Sequence, residues 1–223
     1  RAGCTVGCLS RNGGLPARAD LTPELSARMI AVRCDVDDEA SIKQALASVA
    51  AKAGGLWGLV NNAGVHVTGR SETFSTDDYL KVMHTNAAAV FAASREAYPY
   101  LVANQGGILI NIGSFFDKLG VKRNLAYCAS KAAVGAITRC LAVEWAPQGI
   151  RVIDVAPGYI ETDLNREAMS ETSLKDFLSK RIPGGQAGTA EEVGSIVATL
   201  ATQDFGFLTG ETIYLDGGQS INH

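Results

Sequence analysis

Apolar and polar positions alternate between two periods along the chain. Residues 4 to 9, Cys-Thr-Val-Gly-Cys-Leu, form a short apolar run closed by Ser10-Arg11-Asn12-Gly13-Gly14, the pattern of a strand and a turn. A second run at 29 to 34 stops at Asp35-Val36-Asp37-Asp38. Ile42, Ala45, Leu46 and Val49 then recur at helical spacing, with acids at the N-terminal end and Gly54-Gly55 as the stop. Leu56 to Val60 reads as a third strand, ending in Asn61-Asn62-Ala63-Gly64.

Ser75-Thr76-Asp77-Asp78 predicts the start of a long helix toward Asn104, kinked or broken at Pro99. Gly107 to Ile112 is a strand followed by Ser114, Tyr127 to Ala146 a helix, and Arg151 to Ala156 a strand before Pro157-Gly158. Residues 159 to 188 show weak periodicity and read as a mobile insert. Thr189 and Glu192 form a capping box for a helix to about Ala201, and Thr212 to Leu215 is the last strand. Strands that are continuous apolar runs, alternating with helices, predict a doubly wound α/β fold with a parallel sheet, in one domain over 1–223.

Composition narrows the function. Twenty Lys and Arg against 23 Asp and Glu give a formal net charge of −3, without the basic excess that nucleic acid or an anionic membrane surface requires. No apolar run approaches the ~18 residues of a membrane span. Cys4, Cys8, Cys34, Cys128 and Cys140 form no CxxC pair, and His66, His84 and His223 are scattered. The cysteines read as reduced and cytoplasmic, and no metal site is expected.

Tyr127-Cys128-Ala129-Ser130-Lys131 sets a phenol and an ammonium one turn apart on one helix face. Alone, this spacing is weak. It gains meaning from its company: Asn61-Asn62-Ala63-Gly64 after a strand, Asn86 in the next helix, Ser114 after the following strand, and Pro157-Gly158 after the strand beyond the Tyr helix. Three of these features lie at or beyond strand C-termini, the edge where open α/β sheets bind ligands.

This ordered set resembles the short-chain dehydrogenase/reductase family, of the one-domain common type, over essentially the whole chain. Within it the likeness is nearest the 3-oxoacyl-carrier-protein reductase and gluconate or polyol dehydrogenase branches. The resemblance implies hydride transfer between NADP(H) and a carbonyl or secondary alcohol. It assigns catalysis to Asn86, Ser114, Tyr127 and Lys131. A free phenol has a pKa near ~10, so the ammonium of Lys131 is expected to lower that of Tyr127. Ser114 is expected to hold the substrate oxygen.

For the cofactor, the resemblance implies contacts from Asp35 and Val36 at the adenine, Asn61, Ala63 and Gly64 at the adenosine half, Ile160 and Thr162 at the nicotinamide carboxamide and Lys131 at the nicotinamide ribose, with Tyr127, Pro157 and Gly158 also binding the cofactor. NAD-preferring relatives carry an Asp where this chain has Ser10, followed by Arg11. A cation there suits a 2′-phosphate, so NADP is expected and NAD is the lesser alternative.

No Gly-rich phosphate turn occurs, and the chain opens at Arg1-Ala2-Gly3. The expectation is that the first strand, the glycine loop and most of one helix, about 25 to 30 residues by the size of a βαβ unit, are absent from this sequence. The missing strand would be central, and its loss would open apolar edges.

Phe115-Phe116 suggests an apolar wall for substrate, and Lys118, Lys122 and Arg123 a place for an acid. His66 follows the NNAG turn and is placed to face substrate, although a surface loop residue is the favoured reading; His84 reads as exposed or packed within its helix. Relatives with this tail are tetramers, so a homotetramer is expected. Two other classes remain: a catalytically silent dinucleotide sensor or scaffold, against which Ser114, Tyr127 and Lys131 argue, and a serine hydrolase, for which no G-x-S-x-G elbow surrounds Ser114.

Overall fold

In the computed structural model, residues 3–15, 21–162 and 172–222 are described. Strands β1 (Val6–Ser10) and β2 (Met29–Arg33) pair in parallel. A second parallel sheet holds β3 (Gly58–Asn61), β4 (Gly107–Ile112), β5 (Ile150–Pro157) and β8 (Thr212–Leu215), in the order β3-β4-β5-β8. Parallel neighbours need crossovers, which are helices here. The helices are α1 (Pro23–Ser26), α2 (Glu39–Ala53), α3 (Thr76–Met83), α4 (Ala89–Ala103), α5 (Leu125–Trp145), α6 (Thr172–Arg181) and α7 (Ala190–Thr202). Two short strands, β6 (Ile160–Glu161) and β7 (Gly188–Thr189), pair with each other.

Both faces of the four-stranded sheet are covered. Leu109 and Val152 pack with Leu101 of α4 and Leu141 of α5, while Ile108, Ile110, Ile153 and Val155 pack with Leu200 of α7. The two-stranded sheet joins the body through helices. Leu9 and Val32 pack on Ile42 and Leu46 of α2, in a cluster that includes Ala97 of α4 and Leu59 of β3. Among the described residues no strand pairs with both β1 and β3, and Val6 and Val60 are exposed on them.

Three expectations are corrected. Pro99 does not break its helix, which runs unbroken from Ala89 to Ala103. Ala97 and Leu101 on either side are fully buried, and their packing outweighs one lost backbone bond. The helical geometry changes earlier, in a π turn at His84–Ala88 whose Thr85, Asn86 and Ala87 are buried. The helix expected to start at Tyr127 starts at Leu125. The expected mobile insert contains α6, seated by buried Leu178 and Ile182 against Tyr159 and Ala187; residues 163–171 lie outside the described residues.

Candidate functional site

The C-terminal ends of β3, β4 and β5 open onto a cavity of about 530 Å3. Ser114 enters it directly after β4. Its backbone is extended and its Oγ accepts a bond from Phe116 N at 3.3 Å, so the side chain is fixed where the short helical turn Phe115–Lys118 begins. The first two turns of α5 bring Tyr127 and Lys131 to the same cavity. Lys131 Nζ donates to Ile112 O at 2.7 Å and stands 5.6 Å from the centre of the Tyr127 ring. Sequence reasoning gathered these three, and the fold brings them together.

Their electrostatics differ from the expectation. Burial pushes the Tyr127 phenol above its ordinary value, and a hydrogen bond with Ser114 opposes this only in part. Burial pushes the Lys131 ammonium down to about 8, with the Asp154 charge acting the other way. The net shift of the phenol is therefore upward, opposite to the expected lowering. Desolvation of the phenol outweighs its bond with Ser114, and Lys131 gives a bond to Ile112 O.

Asn86 does not line the cavity; it holds the walls together. Within the π turn its Oδ1 accepts from Val65 N at 2.8 Å, and its Nδ2 donates to Val65 O at 2.9 Å and Ser130 Oγ at 3.0 Å. Ser130 Oγ in turn donates to Tyr127 O at 2.8 Å. The loop after β3 and the first turns of α5 are thus set against each other through one amide. An ordinary α turn gives i+4 registry. The π turn inserts the extra residue that lets Asn86 face this junction.

Of the other expected positions, Gly64, Pro157, Gly158, Ile160 and Thr162 line the cavity. A Cβ at Gly64 would stand 3.3 Å from Asn86 Oδ1 and 3.8 Å from Lys131 Nζ, so glycine leaves the floor beside the lysine clear. A Cβ at Gly158 would fall 2.8 Å from Asp216 Cα. Asn61 lies elsewhere: its Nδ2 donates to Asn111 Oδ1 at 2.9 Å and Ser94 Oγ at 3.1 Å, bracing β3 to β4 and α4. Ala63 is exposed in the loop after β3. Asp35 is exposed after β2 with Oδ1 accepting from Asp37 N, while Val36 packs on the α2 cluster. Arg11 is exposed in the turn after β1.

One contributor was ranked below its surface reading, and one wall escaped sequence reasoning. His66 lines the cavity, its ring 4.4 Å from that of Tyr127 and its Nε2 bonded to Asn124 Oδ1. Ala190, Val193, Gly194 and Val197 of α7 form the opposite wall. Their i, i+3, i+4, i+7 spacing marks a helix face, and the smallness of Ala190 and Gly194 was the available sign that this face borders a cavity.

These residues fit the nicotinamide end of a dinucleotide cofactor. The clear floor at Gly64, a buried lysine with donor capacity beyond Ile112 O, and an apolar wall from α7 suit a ribose and a planar ring.

Comparison with known proteins agrees. Residues 1–220 match the family described as enoyl-(acyl carrier protein) reductase. The chain is 34% identical over 224 residues to a Xanthobacter autotrophicus protein named inactive 2-(S)-hydroxypropyl-CoM dehydrogenase 2, covering 99% of this chain and 96% of that one. It is 34% identical to the 3-oxoacyl-acyl-carrier-protein reductase of Salmonella typhimurium, over 89% of this chain and 81% of the relative. Among solved structures, a gluconate 5-dehydrogenase from Burkholderia cenocepacia in complex with NADP and tartrate superposes with a TM-score of 0.87 at 28% identity, covering 99% of this chain and 87% of that one. Fold, site and relatives together place the chain in the short-chain dehydrogenase/reductase family, oxidoreductases acting on CH–OH groups.

Proposed function

We propose that this protein transfers hydride between NADP(H) and a small carbonyl or secondary-alcohol substrate, with Tyr127 exchanging the proton at the substrate oxygen. The observation that carries the reading is the convergence of Ser114, Tyr127 and Lys131 on one cavity at the C-terminal edge of the sheet. A bound nicotinamide supplies or accepts the hydride. Ser114 holds the substrate oxygen near the Tyr127 hydroxyl, which gives its proton to the developing alkoxide. Lys131 binds the ribose of the cofactor through the donors not engaged by Ile112 O, and its charge favours the phenolate left behind. Asn86 keeps the Val65 loop and the Tyr127 turn in register for this exchange.

The choice of NADP over NAD is supported by Arg11. Ser10 Oγ donates to Asn12 Oδ1 at 2.7 Å, and Gly14 N bonds to the same Asn12 Oδ1, which folds the turn and leaves Arg11 exposed at its tip. Asp35, Val36 and Ala63 complete the adenosine side in this reading. The gluconate dehydrogenase neighbour was solved with NADP, which agrees. We further propose that residues 1–223 are one domain, whose two sheets belong to one doubly wound sheet. The shared α2–α4 cluster under Leu9, Val32 and Leu59 supports this. A homotetramer fits the outer edge of β8, which among the described residues has no strand partner beyond β5. The five free cysteines suit a reducing, cytoplasmic setting.

A second reading, cofactor binding without turnover, is favoured by the near full-length match to a relative named inactive. Initial-rate assays with NADPH and NADH against a panel of ketones, 3-oxoacyl thioesters and oxidised sugar acids separate the two.

A further inference from the structure

On β5, beside the end of β4 that accepts the Lys131 bond, lies a buried carboxylate with no part in the reaction as described. Asp154 is on β5, in register with Asn111 of β4 and Thr212 of β8, and it has no solvent exposure. Two residues before it, Val152 packs on Leu141 of α5, so Asp154 shares the α5 face of the sheet. Its carboxylate is seated on Gly113, where a Cβ would fall 2.5 Å from Oδ1 and 2.6 Å from Oδ2. Gly113 separates Ile112, whose carbonyl accepts from Lys131, and Ser114.

Thr212 Oγ1 donates to Asp154 Oδ2 at 3.3 Å, and Oδ1 has no hydrogen-bond partner. A buried carboxylate this poorly satisfied is costly unless a charge of opposite sign compensates it. Among the described residues, Asp154 and Lys131 are the two buried side chains that carry a charge, and their signs are opposite. Both lie against the end of β4.

We propose that Asp154 is the buried counter-charge of Lys131, a positioning residue that keeps the ammonium protonated and set at the cavity floor while touching neither substrate nor cofactor. The attraction acts across Gly113: Asp154 raises Lys131 against its burial, and Lys131 favours the ionised form of Asp154. Burial pushes Asp154 up to about 6 and burial pushes Lys131 down to about 8, so between these values both are charged. Around the pair stand Tyr127 on α5 beside Lys131, and Asp117 after β4 and Tyr214 on β8 beside Asp154; Lys118 and Arg139 act on Tyr214. Asp117 opposes ionisation of Asp154 and accepts from Tyr214 Oη at 2.8 Å. Lys118 Nζ sits 3.4 Å from the Tyr214 ring centre. Arg139 Nη1 and Asp117 Oδ2 lie 3.4 Å and 4.0 Å from where a Gly135 Cβ would be.

The proposal rests on the reading of Lys131 as the working lysine, so its test uses cofactor-free protein and no substrate. Lysine labelled with 13C at Cε is titrated by NMR in the wild type and in Asp154→Asn, with Lys131→Met identifying the resonance. Lys131 is expected to lose its proton about half a pH unit or more lower in Asp154→Asn. The reciprocal measurement holds even where Asp154→Asn fails to fold. In Lys131→Met, the Asp154 carboxyl carbon is expected to titrate at higher pH than in the wild type, since coupling between two sites is mutual. Lys131 titrating at one pH in both proteins, or Asp154 titrating identically with and without Lys131, overturns the proposal. Coupled titration in a protein that turns nothing over would sink the oxidoreductase reading and leave this pair standing.

Discussion

The Asn86 amide donates to Ser130 Oγ at 3.0 Å, and this bond ties a π turn to the helix turn that carries Tyr127 and Lys131. Asn86 is buried, and the same amide satisfies both backbone groups of Val65. Asn86→Ala would leave the half-buried N–H and C=O of Val65 and one acceptor site of the buried Ser130 Oγ short of a partner. Each such loss costs about 1–3 kcal/mol, and partial rescue by water reduces the total. The expected destabilisation is about 2–4 kcal/mol by urea denaturation. A loss below about 0.5 kcal/mol, the size of an ordinary surface change, would mean that the junction does not depend on Asn86.

Arg11→Asp is expected to turn cofactor preference toward NADH. The change removes a cation suited to the 2′-phosphate and installs a carboxylate that repels it. Charge-assisted bonds are worth about 1.5–3 kcal/mol, so NADPH affinity should fall roughly ten- to a hundredfold while that for NADH changes little. Isothermal titration with both cofactors decides. An unchanged Kd for NADPH would make Arg11 only a turn residue.

The titration of the buried pair sets a dependence of stability on pH. In the folded protein Asp154 holds its proton up to about 6, above the ordinary carboxylate range. Between about 4 and 6 the folded state therefore binds more protons than the unfolded one, and this contribution is lost as pH rises. Lys131 is lowered to about 8, so its contribution runs the other way: it grows as pH rises from there toward the ordinary lysine value. The Tm of the wild type minus that of Asp154→Asn should fall between pH 4 and 6, a comparison in which the other carboxylates largely cancel. A difference that is flat across that range would contradict the assignment.

If the two sheets form one domain, thermal unfolding should follow a single transition by both far-ultraviolet and near-ultraviolet circular dichroism. Two separated transitions would divide the chain. Light scattering at micromolar concentration should return four copies per particle, and a monomer would remove the case for β8 as an assembly edge.

The sequence was most legible where a pattern depends on local chemistry. Ile42, Ala45, Leu46 and Val49 are the buried face of α2, and Gly54 ends it with φ +79° and its N–H on Ala50 O, as a helix stop after a periodic run requires. The Thr189–Glu192 capping box forms with both of its bonds. Ser114, Tyr127 and Lys131 were legible because each follows a strand or holds a fixed helical spacing. What stayed hidden depended on tertiary packing. Pro99 announces a break that buried Ala97 and Leu101 override, and nothing in Thr85-Asn86-Ala87 announces a π turn. The direction of the Tyr127 shift was also out of reach, because spacing shows the ammonium but not the burial that outweighs it. Asp154 reads in sequence as one more strand residue, and only the fold shows it to be a buried charge at Gly113, one residue beyond the carbonyl that Lys131 bonds.

The central claim, that Tyr127 carries the proton in hydride transfer to or from a carbonyl carbon, is tested most directly by steady-state NADPH oxidation at 340 nm. The assay compares the wild type and Tyr127→Phe on the best substrate of the panel, with NADPH affinity measured in parallel. The account predicts turnover by the wild type, and in the variant a kcat below about a hundredth of it, a barrier increase of at least ~2.7 kcal/mol, with NADPH Kd within a few fold. A variant that keeps more than about a tenth of kcat, a barrier change under ~1.4 kcal/mol, would contradict it.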